Sequence, residues 1–268
     1  PDRAGVVWGG LDGAPRDTFV VGGRLPTPMT KTPLGGSPRR ARRAGGILGE
    51  DRGGVRGGAA KIAGRRGGVT NPIHILTEIL AGLHDETGRV TLDGFYDGVE
   101  ETPTQIKAAW ETLGKTAESF LGEVGLSIPS GEKGRSVLEL TWARPTAEVN
   151  GITGGYTGEG FKTVIAAKAS AKGSFRLVGR QDPAAIRESF RAYVRSKIPA
   201  DCSVDFHEHG GSPAIHLSYD SPALTKAKSA LSDEWAKPAI VIGMGGSIPI
   251  VGDFQKMLGM DSLMIGFG

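Results

Sequence analysis

Residues 240–268 constrain the fold more than any other stretch. Ile240–Met244 is an uninterrupted apolar run, the pattern of a strand buried on both faces. Gly245, Gly246 and Ser247 follow at once, then a short helical pattern over 253–258 and a second apolar run over 261–267. Two buried strands joined by a helix make a βαβ-type unit, so the spacing predicts an α/β layer at this end of the chain. In such sheets ligands sit at the carboxyl ends of strands, where a Gly-rich turn brings backbone N–H groups close to an anion. Ser247 adds a hydroxyl at that point. By itself, a Gly-Gly-Ser turn is as readily plain turn chemistry.

Upstream the pattern changes. Apolar residues Ile73, Leu76, Leu80 and Leu83 recur at helical spacing behind Asn71-Pro72, which predicts a helix over 72–84. Residues 94–131 read as a polar, Pro-punctuated insertion with helices over 103–113 and from 116. Strands are predicted over 137–149, 162–167, 169–178, 202–207 and 214–218, and helices over 182–197 and 221–235. Helix, strands, helix, strand describes an α+β two-layer domain with antiparallel pairing, close to a split βαβ.

Residues 1–70 differ in kind. They hold 18 of the 43 glycines and carry 13 Lys/Arg against 5 Asp/Glu, whereas the remainder carries 19 against 24. The net charge of +3 therefore belongs to this quarter alone. Neither strand nor helix periodicity persists in it, and low apolar content with like charge predicts disorder. The runs Arg39-Arg40-Ala41-Arg42-Arg43 and Gly64-Arg65-Arg66 also allow an arm that binds nucleic acid, but Trp8 and Phe19 lie far from them, so this is the weakest functional reading. The one cysteine, Cys202, excludes a disulfide framework and a cysteine zinc cluster. No apolar run reaches membrane-spanning length, and no secretory pattern opens the chain, so a cytoplasmic location is expected.

Two blocks carry a family resemblance. Gly-Gly-Ser-Ile-Pro-Ile at 245–250, followed by Asp-Phe-Gln-Lys-Met-Leu-Gly at 253–259, resembles the dinuclear-zinc metallopeptidase superfamily of carnosinase, bacterial dipeptidases and aminoacylase or acetylornithine deacetylase. The run Asn150-Gly-Ile-Thr-Gly-Gly-Tyr-Thr-Gly-Glu-Gly-Phe-Lys-Thr-Val-Ile165, with Ser174-Phe-Arg-Leu-Val178 after it, resembles the lid domain of the same family. The resemblance covers roughly residues 71–268. It implies a lid, or dimerisation domain, over 71–237: a four-stranded antiparallel sheet with two helices, ferredoxin-like. Residues 238–268 would be an α/β fragment of the catalytic domain.

The resemblance also implies roles. Thr163 is similar to a lid threonine that reaches a partner subunit's substrate. Arg176 is similar to a lid arginine that grips the substrate carboxylate, a task suited to a guanidinium fork. Gly245, Gly246 and Ser247 are similar to a substrate-binding turn, and Asn150 to a loop shaping the same site. The implied partners are a second copy of the chain and a dipeptide or acylated amino-acid substrate. The implied cofactors are two zinc ions, or manganese or cobalt. The family's metal ligands and general-base glutamate fall on no matching position here, and His74, His84, His207, His209 and His216 read as ordinary residues. The expectation is therefore a zinc-dependent dipeptidase by kinship, whose present chain holds no full metal set and is inactive alone, or else a non-catalytic dimerisation module. Lys31-Thr32-Pro33 stands at nearly the family spacing from Asn71, while the lid's first strands and its His-Ser-Gly turn are missing. From this, residues 1–69 are expected to be partly an out-of-frame translation.

Overall fold

The computed structural model of the protein describes residues 4–10, 16–23, 67–215, 217–244, 249–260 and 262–267. Two sheets organise them. The larger has four strands in the order β3-β4-β2-β5, formed by β2 (Arg16–Gly23), β3 (Thr146–Gly154), β4 (Lys168–Arg176) and β5 (Cys202–Glu208), with every neighbouring pair antiparallel. One face is apolar by alternation: Phe19 and Val21 from β2, and Ala169, Ala171 and Phe175 from β4, are buried.

Two helices cover that face. In α1 (Pro72–Ala81), Asn71 accepts a hydrogen bond from Ile73 N–H and Pro72 stands in the first turn, both helix-starting signals. Its Leu76 and Ile79 are fully buried. In α5 (Pro183–Lys197), Asp182 caps Ala184 N–H, and Ile186, Phe190 and Val194 form the buried stripe. Phe190 meets Phe19 edge-on at 5.5 Å and Phe175 at 5.2 Å between ring centroids, so this aromatic group locks α5 to the two central strands.

The smaller sheet has the order β6-β1-β7, with β1 (Ala4–Gly10) in the middle. It pairs in parallel with β6 (Ile240–Met244) and antiparallel with β7 (Met264–Phe267). The expected βαβ unit is therefore corrected. Helix α7 (Pro249–Leu258) does connect β6 to β7, but β7 runs back against β1, which separates the two strands. Alternation along β6 sorts its side chains. Ile240 and Ile242 pack with Trp110, Val137, Leu138 and Trp142, while Val241 packs with Leu224, Leu231 and Leu263. Helices thus lie on both faces: α2 (Thr104–Glu111) and α4 (Val137–Trp142) on one, α6 (Pro222–Trp235) on the other. Ala117 and Phe120 of α3 (Ala117–Gly122) join the first cluster. The helices expected as a lid insertion over 94–131 accordingly pack on β6. Trp110 Nε1–H also donates to the Val241 carbonyl at 2.7 Å, satisfying a backbone acceptor on an edge strand.

Three further expectations change. Residues 137–149, read as one strand, divide into α4 and β3. The cause is a capping box: Ser136 Oγ accepts from Glu139 N–H, and Glu139 Oε2 accepts from Ser136 N–H at 3.0 Å. Residues 162–167 and 214–218 form no strand among the described residues. Ile215 and Leu217 are both buried, which accounts for their alternation. Finally, the segment expected to be unstructured supplies β1, the middle strand of the small sheet, and β2, an inner strand of the large one. Residues 24–66, which hold the Arg-rich runs and Lys31-Thr32-Pro33, lie outside the described residues.

An ion-pair cluster joins the two halves. Arg144 and Glu132 are both buried, with Arg144 Nη2 2.8 Å and Nε 3.0 Å from the Glu132 carboxylate. Arg89, stacked 3.9 Å over the Tyr96 ring, adds a contact to Glu132 at 3.5 Å. Glu101 forks onto Arg135, and Lys107 reaches Glu139 at 2.7 Å. Residues 89–101, beside the large sheet, are thereby tied to α2 and α4 on the small one. Gly88 makes the approach possible. Its φ is +79°, and a Cβ there would sit 1.9 Å from the Gly131 carbonyl oxygen.

Candidate functional site

The residues singled out from the sequence fall at separate places. Thr163 lies in the Gly-rich connection between β3 and β4, at the apex of a three-residue turn closed by Val164 N–H donating to Lys162 O at 3.0 Å. It is exposed. Arg176 is the last residue of β4, exposed, and opposite Thr146 of β3 in register. The nine residues of β4 span roughly 26 Å from Lys168 to Arg176 at about 3.3 Å per step. The connection carrying Thr163 thus enters β4 at the end opposite Arg176. Asn150 is the extra residue of a β-bulge, between the pairs Val149–Gly173 and Gly151–Lys172. Gly245, Gly246 and Ser247 lie outside the described residues, as does His216.

Metal chemistry has no home in what is described. No group of three or more His, Cys, Asp or Glu side chains among the described residues is placed to hold a metal ion. His207 and His209 are exposed, two apart at the end of β5, and His74 and His84 are exposed near α1. These residues do not fit a dinuclear centre, and no catalytic step can be derived through one. Burial pushes the Cys202 thiol above its ordinary range, which disfavours the thiolate a metal or a nucleophilic role needs.

The sequence reading missed the cluster around Glu132 and Arg144. Hydrogen bonds from Arg135 bring the Glu101 carboxyl down to about 2. Burial opposes ionisation of Glu139, but Lys107 and the Ser136 N–H outweigh it and hold its carboxyl low. Beside this cluster opens a cleft of 520 Å³, walled by Phe120, Leu121, Val137 and Leu140, with Thr146 and Glu148 of β3 at one end. Because Glu132 and Arg144 satisfy each other, what the cleft offers a guest is chiefly apolar wall. The Ser136-x-x-Glu139 pattern and the charge-dense stretch 132–144 were the signals available for it.

The two edges of the large sheet differ. At β5, Arg187 and Arg191 bind Glu208 at 2.9 and 3.4 Å, and Arg191 and Arg195 lie over the Phe206 ring. At β3, Val149 and Ile152 are 40% and 57% exposed. Among the described residues, the β5 edge is thus covered by charged side chains, whereas the β3 edge carries exposed apolar ones.

The family description for peptidase dimerisation domains matches residues 44–202, and the chain belongs to that family. It is similar to the Cys-Gly metallodipeptidase DUG1 of Candida albicans, 27% identical over 217 residues, which are 79% of this chain and 44% of that protein. It is also similar to the Beta-Ala-His dipeptidase of Rattus norvegicus, 23% identical over 77% of this chain and 43% of that protein. The chain thus spans less than half the length of these relatives. Among solved structures, an M20 family metallo-carboxypeptidase from Sulfolobus solfataricus shares the fold with a TM-score of 0.69 at 22% identity, over 97% of this chain and 52% of that one. Dug1p of Saccharomyces cerevisiae does so with 0.69 at 20%, over 98% and 49%. No described helix is long and apolar enough to cross a membrane.

Proposed function

We propose that this chain serves a metallopeptidase of small peptides, as its dimerisation domain together with part of a catalytic α/β layer. Its substrates would be dipeptides or acylated amino acids with a free carboxylate. The observation that carries the reading is the placement of Thr163 and Arg176 relative to the β3 edge, which no other described strand pairs with. If two copies pair antiparallel through β3, the carboxyl end of one strand lies beside the amino end of the other. The amino end, Thr146, is the register partner of Arg176. The connection carrying Thr163 leaves the carboxyl end, Gly154. Pairing therefore brings the connection carrying Thr163 of one copy toward the partner subunit's Arg176. In this reading Arg176 binds the substrate carboxylate, Thr163 completes the partner's site, and Asn150 with Gly245, Gly246 and Ser247 shapes it. Two zinc, manganese or cobalt ions would be held by residues other than those described.

The alternative is a dimerisation module without catalysis, favoured by the lack of a metal-binding group among the described residues. Zinc content and dipeptide turnover of the purified 268-residue chain separate the two. Dimerisation itself is tested by sedimentation. Wild type should be dimeric at high micromolar concentration, Val149→Lys on β3 should be monomeric, and Asp205→Lys on β5 should stay dimeric. A monomeric wild type, or a β5 variant that dissociates instead, would remove the basis of the reading.

A further inference from the structure

The connection after β3 holds the most exposed aromatic residue among those described. Phe161 is 87% exposed, and Tyr156 and Val164 beside it are 40% and 41% exposed. Yet the loop has internal order. Tyr156 O–H donates to the Glu159 carbonyl at 2.8 Å, Lys162 Nζ lies 4.4 Å over the Tyr156 ring, and the tight turn at Thr163 follows. A loop pre-shaped in this way presents an aromatic ring to solvent with part of its ordering cost already met.

The cleft between α3, α4 and β3 is the complementary feature. It is apolar along Phe120, Leu121, Val137 and Leu140, and its volume of 520 Å³ accommodates a phenyl ring. Pro145, Thr146 and Glu148 line it, so it opens at the amino end of β3. An antiparallel β3 pair delivers the loop of one copy to that end of the other. Phe161 lies seven positions beyond Gly154, a fully extended reach of about 23 Å.

We propose that Phe161 of each copy inserts into the cleft of the other, anchoring the dimer and holding Thr163 beside the partner subunit's Arg176. The inference rests on the β3 pairing proposed above. It adds a specific reciprocal contact, an aromatic anchor in a pocket at each end of a two-fold interface, the arrangement expected of an interface hot spot.

The test measures dimer dissociation constants of the 268-residue chain by sedimentation. Phe161→Ser, in an exposed loop, should weaken the dimer by about tenfold or more and leave the melting temperature of the dissociated chain unchanged. Thr141→Trp, which fills the cleft, should weaken it comparably, and the double variant should be no weaker than either single one, since both remove one contact. Met257→Ser, at another exposed apolar position on α7, should change nothing. A photo-crosslinking side chain at position 161 should label residues 120–148 of a second copy. If wild type dimerises but Phe161→Ser does so equally well, or the crosslink maps elsewhere, the anchor is wrong and the β3 dimer stands. If wild type stays monomeric, both fall.

Discussion

Arg144 and Glu132 show how much one buried pair decides. Arg144→Met would leave the Glu132 carboxylate buried without its bidentate partner, keeping longer contacts to Arg89 and Arg135, at 3.5 and 3.7 Å, and its contact with Tyr96. Stranding a buried charge costs about 3 kcal/mol. For a chain of this size that corresponds to a melting temperature roughly 6–12 °C lower, measurable by calorimetry. Glu101 makes a different prediction. Its folded carboxyl titrates at about 2 against an ordinary 4.5. A carboxyl depressed on folding adds stability above its unfolded value and loses that contribution as the pH falls toward the folded one. Wild type should therefore lose stability more steeply than Glu101→Gln between pH 4.5 and about 2. Equal acid limbs would show that the Arg135 fork contributes nothing. Glu132 and Arg144 escape a linear reading because their pairing joins a loop to a helix end across twelve residues, and no periodicity records that.

Elements were legible where a local signal agreed with the packing. Asn71-Pro72 and Asp182-Pro183 announce α1 and α5, and both helices start there. The error over 137–149 has a local cause. Its β-branched and aromatic content suggested a strand, but Ser136 and Glu139 form a reciprocal cap, and Trp142 then packs against Trp110 at 5.1 Å. The cap outweighs composition because it satisfies two orphan N–H groups at the start of a six-residue helix that has few hydrogen bonds of its own. Ser136→Ala should cost about 1 kcal/mol and speed amide exchange in α4 first. Trp110→Phe keeps most of the ring packing but leaves the Val241 carbonyl without its donor. We expect a loss of roughly 1–2 kcal/mol, with faster exchange confined to α2 and β6 rather than the large sheet. The site residues were legible only through resemblance. Arg176 and Thr163 look like an exposed strand arginine and a loop threonine until a second β3 edge places one copy's loop near the other's strand end.

At the scale of the molecule, two strands eight residues long or shorter hold both sheets together. β1 is the middle strand of one and β2 an inner strand of the other, so removing residues 1–23 would leave β6 apart from β7, and β4 apart from β5. We expect that truncation to lose cooperative unfolding in a thermal melt. A truncated chain melting like wild type would mean that the sheets close in another order. A linear reading could not see this, because a Gly- and Arg-rich background obscures two short apolar runs whose partners begin more than a hundred residues away.

That arrangement also sets a timetable for biosynthesis. β1 emerges well before its neighbour β6, which begins at Ile240. At about 5–20 residues per second, an interval of roughly 10–50 s separates them. During it, β1 waits without either of the strands that flank it in the finished sheet. Such a fold depends on shielding of β1 while the rest is being made, and slowing translation between the two strands should lower the soluble yield before it alters the finished protein.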